Sequence, residues 1–208
     1  MQQLNDVIST REQLRAVYDE PSNLVTRKVI SHLDKHCGLF ISRSPFVLMA
    51  SADASGNIDV SPKGDPIGFV KILDSTTLAI PDRPGNERAD SMENILQNPK
   101  VGLIFMIPGK SETLRVSGEA YIVRDEKLRS SMEMKSKVPE LVIVIDVKEV
   151  FFHCSKCMIR SKLWKPDTWP NLDGLPRLAE TMVDAGKLEL SENEMHKIVE
   201  NDENTRLY

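Results

Sequence analysis

Cysteine is scarce in this chain of 208 residues, which holds three, at Cys37, Cys154 and Cys157. An odd number beside an N-terminus without export features fits a reducing cytoplasm better than a disulfide framework. The opening MQQLNDVISTREQ has neither the basic n-region nor the apolar h-region of a signal peptide. No apolar run approaches the ~18 residues that a membrane span needs. Positive charge is not in excess either: 27 basic against 31 acidic residues leave a formal net charge of −4. That balance argues against general affinity for nucleic acid or an anionic membrane, so any anion site must be built locally. No GxGxxG, internal repeat or low-complexity segment is present. What remains is an ordinary globular composition, 40% hydrophobic and 28% charged, and the expectation is a cytoplasmic protein with one substantial core.

The chain begins in a helical register. Ser9 and Glu12 have capping-box spacing ahead of a first helix that stops near Pro21, and Leu24, Val25, Val29, Ile30 and Leu33 share one face of a second helix predicted over residues 24–36. From Pro45 the pattern changes to strands. Residues 46–52 and 58–61 flank the turn cluster at 53–57, and residues 69–73 and 76–80 flank Asp74-Ser75. A helix over residues 88–97 ends before Asn98-Pro99. Strands follow at 101–107, 114–123 and 141–152, with a helix predicted over 125–135, a modest helix at 175–185 and an acidic tail. Six or seven strands pairing mainly with sequence neighbours indicate an antiparallel sheet curled into a barrel, not a parallel βαβ sheet.

Four segments have chemistry to offer. In Ile80-Pro81-Asp82-Arg83-Pro84-Gly85-Asn86-Glu87-Arg88 a strand ends in a loop that opens a helix. Helix N-termini hold phosphate readily, Arg83 and Arg88 supply charge-assisted donors, and Asn86 is a natural cap. A plain capped helix with solvated arginines explains the same residues equally well. Ser61-Pro62-Lys63-Gly64 is a cationic turn after a strand, and also reads as an ordinary hairpin turn. Arg115 stands in a strand that otherwise reads as buried, where an arginine needs an anion or a partner acid. Last, His153-Cys154-Ser155-Lys156-Cys157 leads to Arg160 and Trp164. Its Cys-x-x-Cys lacks both a βαβ context and a second ligand pair, since His32, His36 and Cys37 are irregularly spaced, so the cysteines read as packing residues. Lys156, Arg160 and Trp164 read as a cationic and aromatic border for a flat anionic cofactor.

Taken in order, FVLMASADASGNIDVSPKGD, TLAIPDRPGNERADSMENILQNPKVGLIFMIPG, ETLRVSGEA and VFFHCSKCMIRSKLW resemble the pyridoxamine 5′-phosphate oxidase-like FMN-binding family, in a branch of oxidase-related bacterial proteins about as long as this chain. The words cover most of residues 45–164. The resemblance implies an α+β fold, mainly β, with an antiparallel split β-barrel: residues 1–44 a helical segment packed on the barrel, 45–165 the FMN-binding barrel and 166–208 a helical extension, one domain overall. It also implies a homodimer with FMN at the interface. Arg83, Asn86 and Arg88 would hold the FMN phosphate; Ser61, Pro62 and Lys63 would lie along the ribityl chain and ring; backbone around Ile80, Pro81 and Asp82 would face the ring. The partner subunit would add Arg115, Lys156, Arg160 and Trp164.

Two departures limit the transfer. Pyridoxamine 5′-phosphate oxidases carry a glutamine where this chain has Thr113, and their C-terminal arginine and histidine signature for substrate phosphate is absent. FMN binding therefore transfers and vitamin B6 oxidation does not. The leading expectation is a flavin-dependent oxidoreductase acting on an unidentified small molecule, with NADH or NADPH as an electron donor to be tested. No side chain stands out as a catalytic acid or base, and no metal site is expected. The alternatives are a non-catalytic flavin-binding or storage protein, or a barrel using haem, for which His153 is the nearest axial candidate, or a deazaflavin.

Overall fold

The structure, a computed structural model, describes residues 4–208. Among these, seven strands form one antiparallel sheet: β1 (Phe46–Ala52), β2 (Ile58–Gly64), β3 (Lys71–Asp74), β4 (Thr77–Pro81), β5 (Lys100–Met106), β6 (Thr113–Val123) and β7 (Val142–His153). Their order is β2-β1-β5-β6-β7-β4-β3. The meander β5–β6–β7 thus forms the middle, with the hairpins β1–β2 and β3–β4 attached on either side through β1–β5 and β4–β7. β2 and β3 are not hydrogen-bonded to each other, so the sheet curls without closing.

Burial explains the strand patterns. β1 alternates, with Val47, Met49 and Ser51 buried, as a strand with one core face should. β7 begins instead with an unbroken run, Val142 to Ile145, all buried. Ile143 and Ile145 face the main core with Ile41, Leu103, Phe105 and Leu114, while Val142 and Val144 pack with Ala79 and Met132 on the other side. Each fully buried side chain of this kind contributes roughly 1.5–3 kcal/mol.

The helices lie outside the sheet. α1 (Arg11–Val17) is capped by Thr10, whose hydroxyl accepts from the Gln13 amide at 3.2 Å, one residue later than the spacing of Ser9 suggested. The helix predicted over 24–36 is overruled. α2 (Asn23–Thr26) is a single turn, Ile30 pairs with Val150 as an isolated bridge, and α3 (Lys35–Ile41) starts where Asp34 accepts from the His36 and Cys37 amides. A tertiary backbone pairing and a strong cap beat the 3.6-residue period here. α3 buries Cys37, Phe40 and Ile41, and Phe40 meets Phe152 edge-on with centroids 5.5 Å apart.

α4 (Asp90–Gln97) follows β4. α5 (Glu126–Ser130) is half the predicted length, because the chain turns at the Met134–Lys137 bridge with Lys135 and Ser136 in left-handed conformations. α6 (Lys156–Ser161) follows β7, then come α7 (Leu178–Gly186) and α8 (Glu192–Thr205). The acidic tail is therefore mostly helix. Ser191 and Glu194 form a capping box, and Met195 and Ala179 bury the contact of α8 with α7.

The tightest backbone approach faces a bulge in β7, where Lys148 is the extra residue opposite Ser117 and Gly118, and a Cβ on Gly118 would run into the carbonyl oxygen of Asp146. Gly118→Ala is expected to destabilise the chain by about 1–3 kcal/mol, the range for overpacking. Denaturant unfolding checks it, and an unchanged midpoint would show that β7 yields freely at this point.

Candidate functional site

The two flanking hairpins meet at the mouth of the curled sheet. Asp65, just past β2, accepts from Arg83 Nε, just past β4, at 2.6 Å, and Arg83 Nη2 also donates to the Met132 carbonyl at 3.0 Å. The Asp65 side chain is 1% exposed and that of Arg83 15%. The expected phosphate arginine is thus committed to a seam, because a buried carboxylate demands a partner more strongly than solvent competes for one.

Beside this seam lies a cleft of about 490 Å³, lined by Asp59 to Lys63 of β2, Asp82, residues 84–92 and Leu141. Such a volume suits a cofactor-sized ligand. The inward positions of β2, namely Asp59, Ser61 and Lys63, form one wall. The opposite wall is the loop into α4, in which Glu87 (φ 61°) and Ala89 (φ 55°) are left-handed, at roughly 1–2 kcal/mol each. Asn86 does not cap α4; its side-chain oxygen accepts from the Arg88 amide at 3.1 Å. Ala89 holds the N-cap position with no side-chain acceptor, so α4 opens on the cleft with its first-turn N–H groups uncapped by a side chain.

The charges of the cleft are mostly engaged already. Arg88, 69% exposed, donates to both carboxylate oxygens of Asp90, at 2.7 and 3.3 Å. It is therefore not free for a ligand alone, but an exposed pair of this kind is worth little and exchanges easily. Asp59 accepts from the Ser91 hydroxyl at 2.8 Å, and Glu87 accepts from Arg206 at 2.9 Å. Burial pushes the Asp82 carboxyl above its ordinary range, with Lys63 and Arg83 opposing that shift. Among the described residues Lys63 makes no ion pair. The residues fit a phosphate-bearing ligand if Arg88 exchanges Asp90 for it, and further cations would strengthen the site.

Of the expected residues, Ser61, Pro62, Lys63, Asp82, Asn86 and Arg88 share this cleft. Ile80 is fully buried in the core and Pro81 borders the seam with Arg83, so from these two the backbone alone is on offer. The others lie elsewhere. Arg115 is not buried in β6; it lies 5.3 Å from the Phe151 ring centroid and 3.7 Å from Glu149, partly exposed. Lys156 and Arg160 line a shallow depression of about 370 Å³ with Thr113, His153, Cys154 and Cys157, while Trp164 donates to the Lys110 carbonyl at 2.9 Å. Burial, then Arg115 and Lys28, lower the His153 pKa and favour a neutral imidazole.

The packing role expected of Cys154 and Cys157 is not met. Cys154, just before α6, and Cys157, within it, are both exposed, whereas Cys37 is buried. Residues that the sequence reading passed over include Asp59, Glu87, Ser91 and Asp65. All four stand within the motif words, Asp65 as the last residue of the first, but nothing local marks Asp65 as the partner of Arg83.

The family model for pyridoxamine 5′-phosphate oxidase matches residues 33–154, more than half of the chain. The chain belongs to the pyridoxamine 5′-phosphate oxidase family, and the curled antiparallel sheet with flanking helices is its split-barrel fold. No curated protein matches the sequence. Solved structures that resemble it include HupZ of Group A Streptococcus (20% identity, 57% of this chain, 92% of that one, TM-score 0.47). Another is a Lactobacillus delbrueckii protein described as a candidate pyridoxamine 5′-phosphate oxidase (25% identity, 59% and 95%, TM-score 0.45). A third is an FMN-binding protein of Syntrophomonas wolfei (10% identity, 59% and 86%, TM-score 0.46).

Two measurements check this description. Burial, with Asp34 beside it, raises the Cys37 thiol to about 11, so thiol titration of the folded chain should find two fast groups and a third that reacts only on unfolding. Three equally fast thiols would contradict the packing of α3. Asp82, with its folded-state pKa raised, binds its proton more tightly in the native state, so its contribution to stability falls as pH rises through the upper carboxylate range. Asp82→Asn should therefore gain thermal stability over the parent as pH rises above the ordinary aspartate value, the gain growing until the folded-state carboxyl has ionised and then levelling off. A pH-independent difference would show that Asp82 is well solvated.

Proposed function

We propose that the chain is an FMN-binding flavoprotein that works as a homodimer and transfers reducing equivalents to or from a small molecule. The observation that carries this reading is the cleft itself: an uncapped helix start and Arg88 face Lys63 across a space of cofactor size, in a chain of this family. FMN, when bound, supplies the hydride chemistry.

The chain's own residues supply binding and electrostatics. Arg88 and the first-turn N–H groups of α4 would hold the phosphate, with Asn86 keeping the Arg88 backbone in its turn. Ser61, Pro62 and Lys63 would run along the ribityl chain and ring, where the ammonium of Lys63 stabilises negative charge. The backbone after Ile80 would approach the ring from the β4 side. Four carboxylates border the cleft against two cations, which favours a site completed by a second copy. Arg115, Lys156 and Arg160 form a cationic surface outside the chain's own cleft, suited to that role. The edge strand β2 also leaves Ile58 and Val60 exposed beside the cleft, apolar area that a dimer would cover. The electron donor would be NADH or NADPH, and vitamin B6 oxidation is not proposed.

Fluorescence titration with FMN and riboflavin tests the reading. Arg88→Ala should weaken FMN by roughly ten- to a hundredfold, the worth of a charge-assisted hydrogen bond of about 1.5–3 kcal/mol, and leave riboflavin nearly unchanged. Asp90→Asn, which frees Arg88, should tighten FMN. Equal loss for both ligands in Arg88→Ala would move the phosphate elsewhere, and a parent chain that binds neither flavin would sink the proposal.

A further inference from the structure

The segment after α8 returns to the mouth of the cleft. Tyr208 donates its hydroxyl to Asp65 Oδ1 at 2.9 Å, the oxygen opposite the one that takes Arg83 Nε. The Tyr208 ring centroid lies 5.7 Å from the Arg83 guanidinium carbon and 4.9 Å from Lys135 Nζ. Arg206 donates to Glu87 at 2.9 Å and to Asp202, within α8, at 3.1 Å. Two side chains therefore touch the loops after β2 and α5 and, at two points, the strained loop that runs from β4 into α4. α7 and α8 otherwise pack on each other.

We propose that Arg206 and Tyr208 form a latch that holds Arg83 and the 82–91 loop in the arrangement that receives an anionic ligand, so that the α7–α8 arm and the cleft respond as one coupled unit. The two ends of the latch differ in strength. Tyr208 completes the partners of a carboxylate that is 1% exposed, where an unmade hydrogen bond is expensive. Burial and the bond to Asp65 raise the Tyr208 phenol pKa, so it stays a donor at neutral pH. Arg206 and Glu87 are 52% and 83% exposed, so their pair is weak and opens readily. Tyr208 is the anchor and Arg206 the lever. When the lever is made, it cancels the charge of Glu87 at the cleft and steadies a residue in a left-handed conformation. When it opens, Glu87 repels an incoming anion and the loop relaxes. Coupling of this kind is reciprocal, so an anion in the cleft also steadies the latch.

Both residues are positioning residues, and the primary readout needs no flavin. Hydrogen exchange of the full ligand-free chain should show several-fold faster amides at 82–91 in Arg206→Ala and in Tyr208→Ala, with β5–β7 unchanged. Tyr208→Phe, which keeps the ring and loses the hydroxyl, should fall between. Unchanged exchange at 82–91 would overturn the latch, and so would acceleration spread across β5–β7, which marks a general stability element. The anion arm rests on the flavin reading: Arg206→Ala should lower FMN affinity several-fold and leave riboflavin unchanged, with Glu87→Gln restoring FMN in the double variant. Additive losses in that cycle would overturn the charge role of Arg206. If the parent binds no flavin, the cycle is read with inorganic phosphate, and the exchange result still decides the latch.

Discussion

The Asp65–Arg83 pair holds together what the hydrogen-bond ladder leaves apart. The sheet ends at β2 on one side and β3 on the other, and no backbone pairing joins them. A carboxylate almost fully withdrawn from water just past β2 finds its cation just past β4. Leaving either ion without the other would cost about 3–5 kcal/mol, the typical penalty for breaking a buried pair. The cleft lies beside this seam. With the ends of β2 and β4 pinned together, the chain leaving β4 must cross the inward face of β2 before it can start α4. The left-handed Glu87 and Ala89 are the backbone's way of making that crossing.

The same pair explains why the charge of the cleft looks unpromising until its partners are counted. Arg83 is removed from the cation set by the seam, and Arg88 is occupied by Asp90. The acids are also engaged, Asp59 by Ser91, Glu87 by Arg206, and Asp82 shifted toward its neutral form by burial. The cleft thus has its polar groups engaged but is short of positive charge, and Arg115, Lys156 and Arg160 lie outside it on β6 and α6. Local order is given up where binding would use it: α4 starts without a side-chain cap, and two non-glycine residues take strained conformations.

Most of the β architecture was legible in the sequence, because strand alternation and turn chemistry are local signals. The hairpin around residues 53–57, the pair around Asp74-Ser75 and the Val- and Ile-rich β7 all lie within a residue or a few of where their patterns put them. The helical readings at both ends fared less well. The apolar period over residues 24–36 competed with a bridge to Val150, which lies over a hundred positions away in the chain, and lost. The acids of residues 192–205 hid a helix whose apolar contact with α7 is narrow.

For the site, sequence alone determined the residue types and the words that carry them. Lys63, Asn86 and Arg88 were brought near one cleft by a strand end and a helix start that local pattern could indicate, and the order of the four words was enough to point to the family. What only the tertiary structure decided is which charge answers which. Arg83 and Arg88 stand five positions apart in one loop and look equivalent. One lies against the buried Asp65 and the other against the exposed Asp90. Likewise nothing near Tyr208 announces that it meets a carboxylate 143 positions earlier in the chain. The physical reason is that secondary structure is written in periods of a few residues, whereas the strength of an ion pair depends on burial and distance. Those are properties of segments that meet only after the sheet has curled.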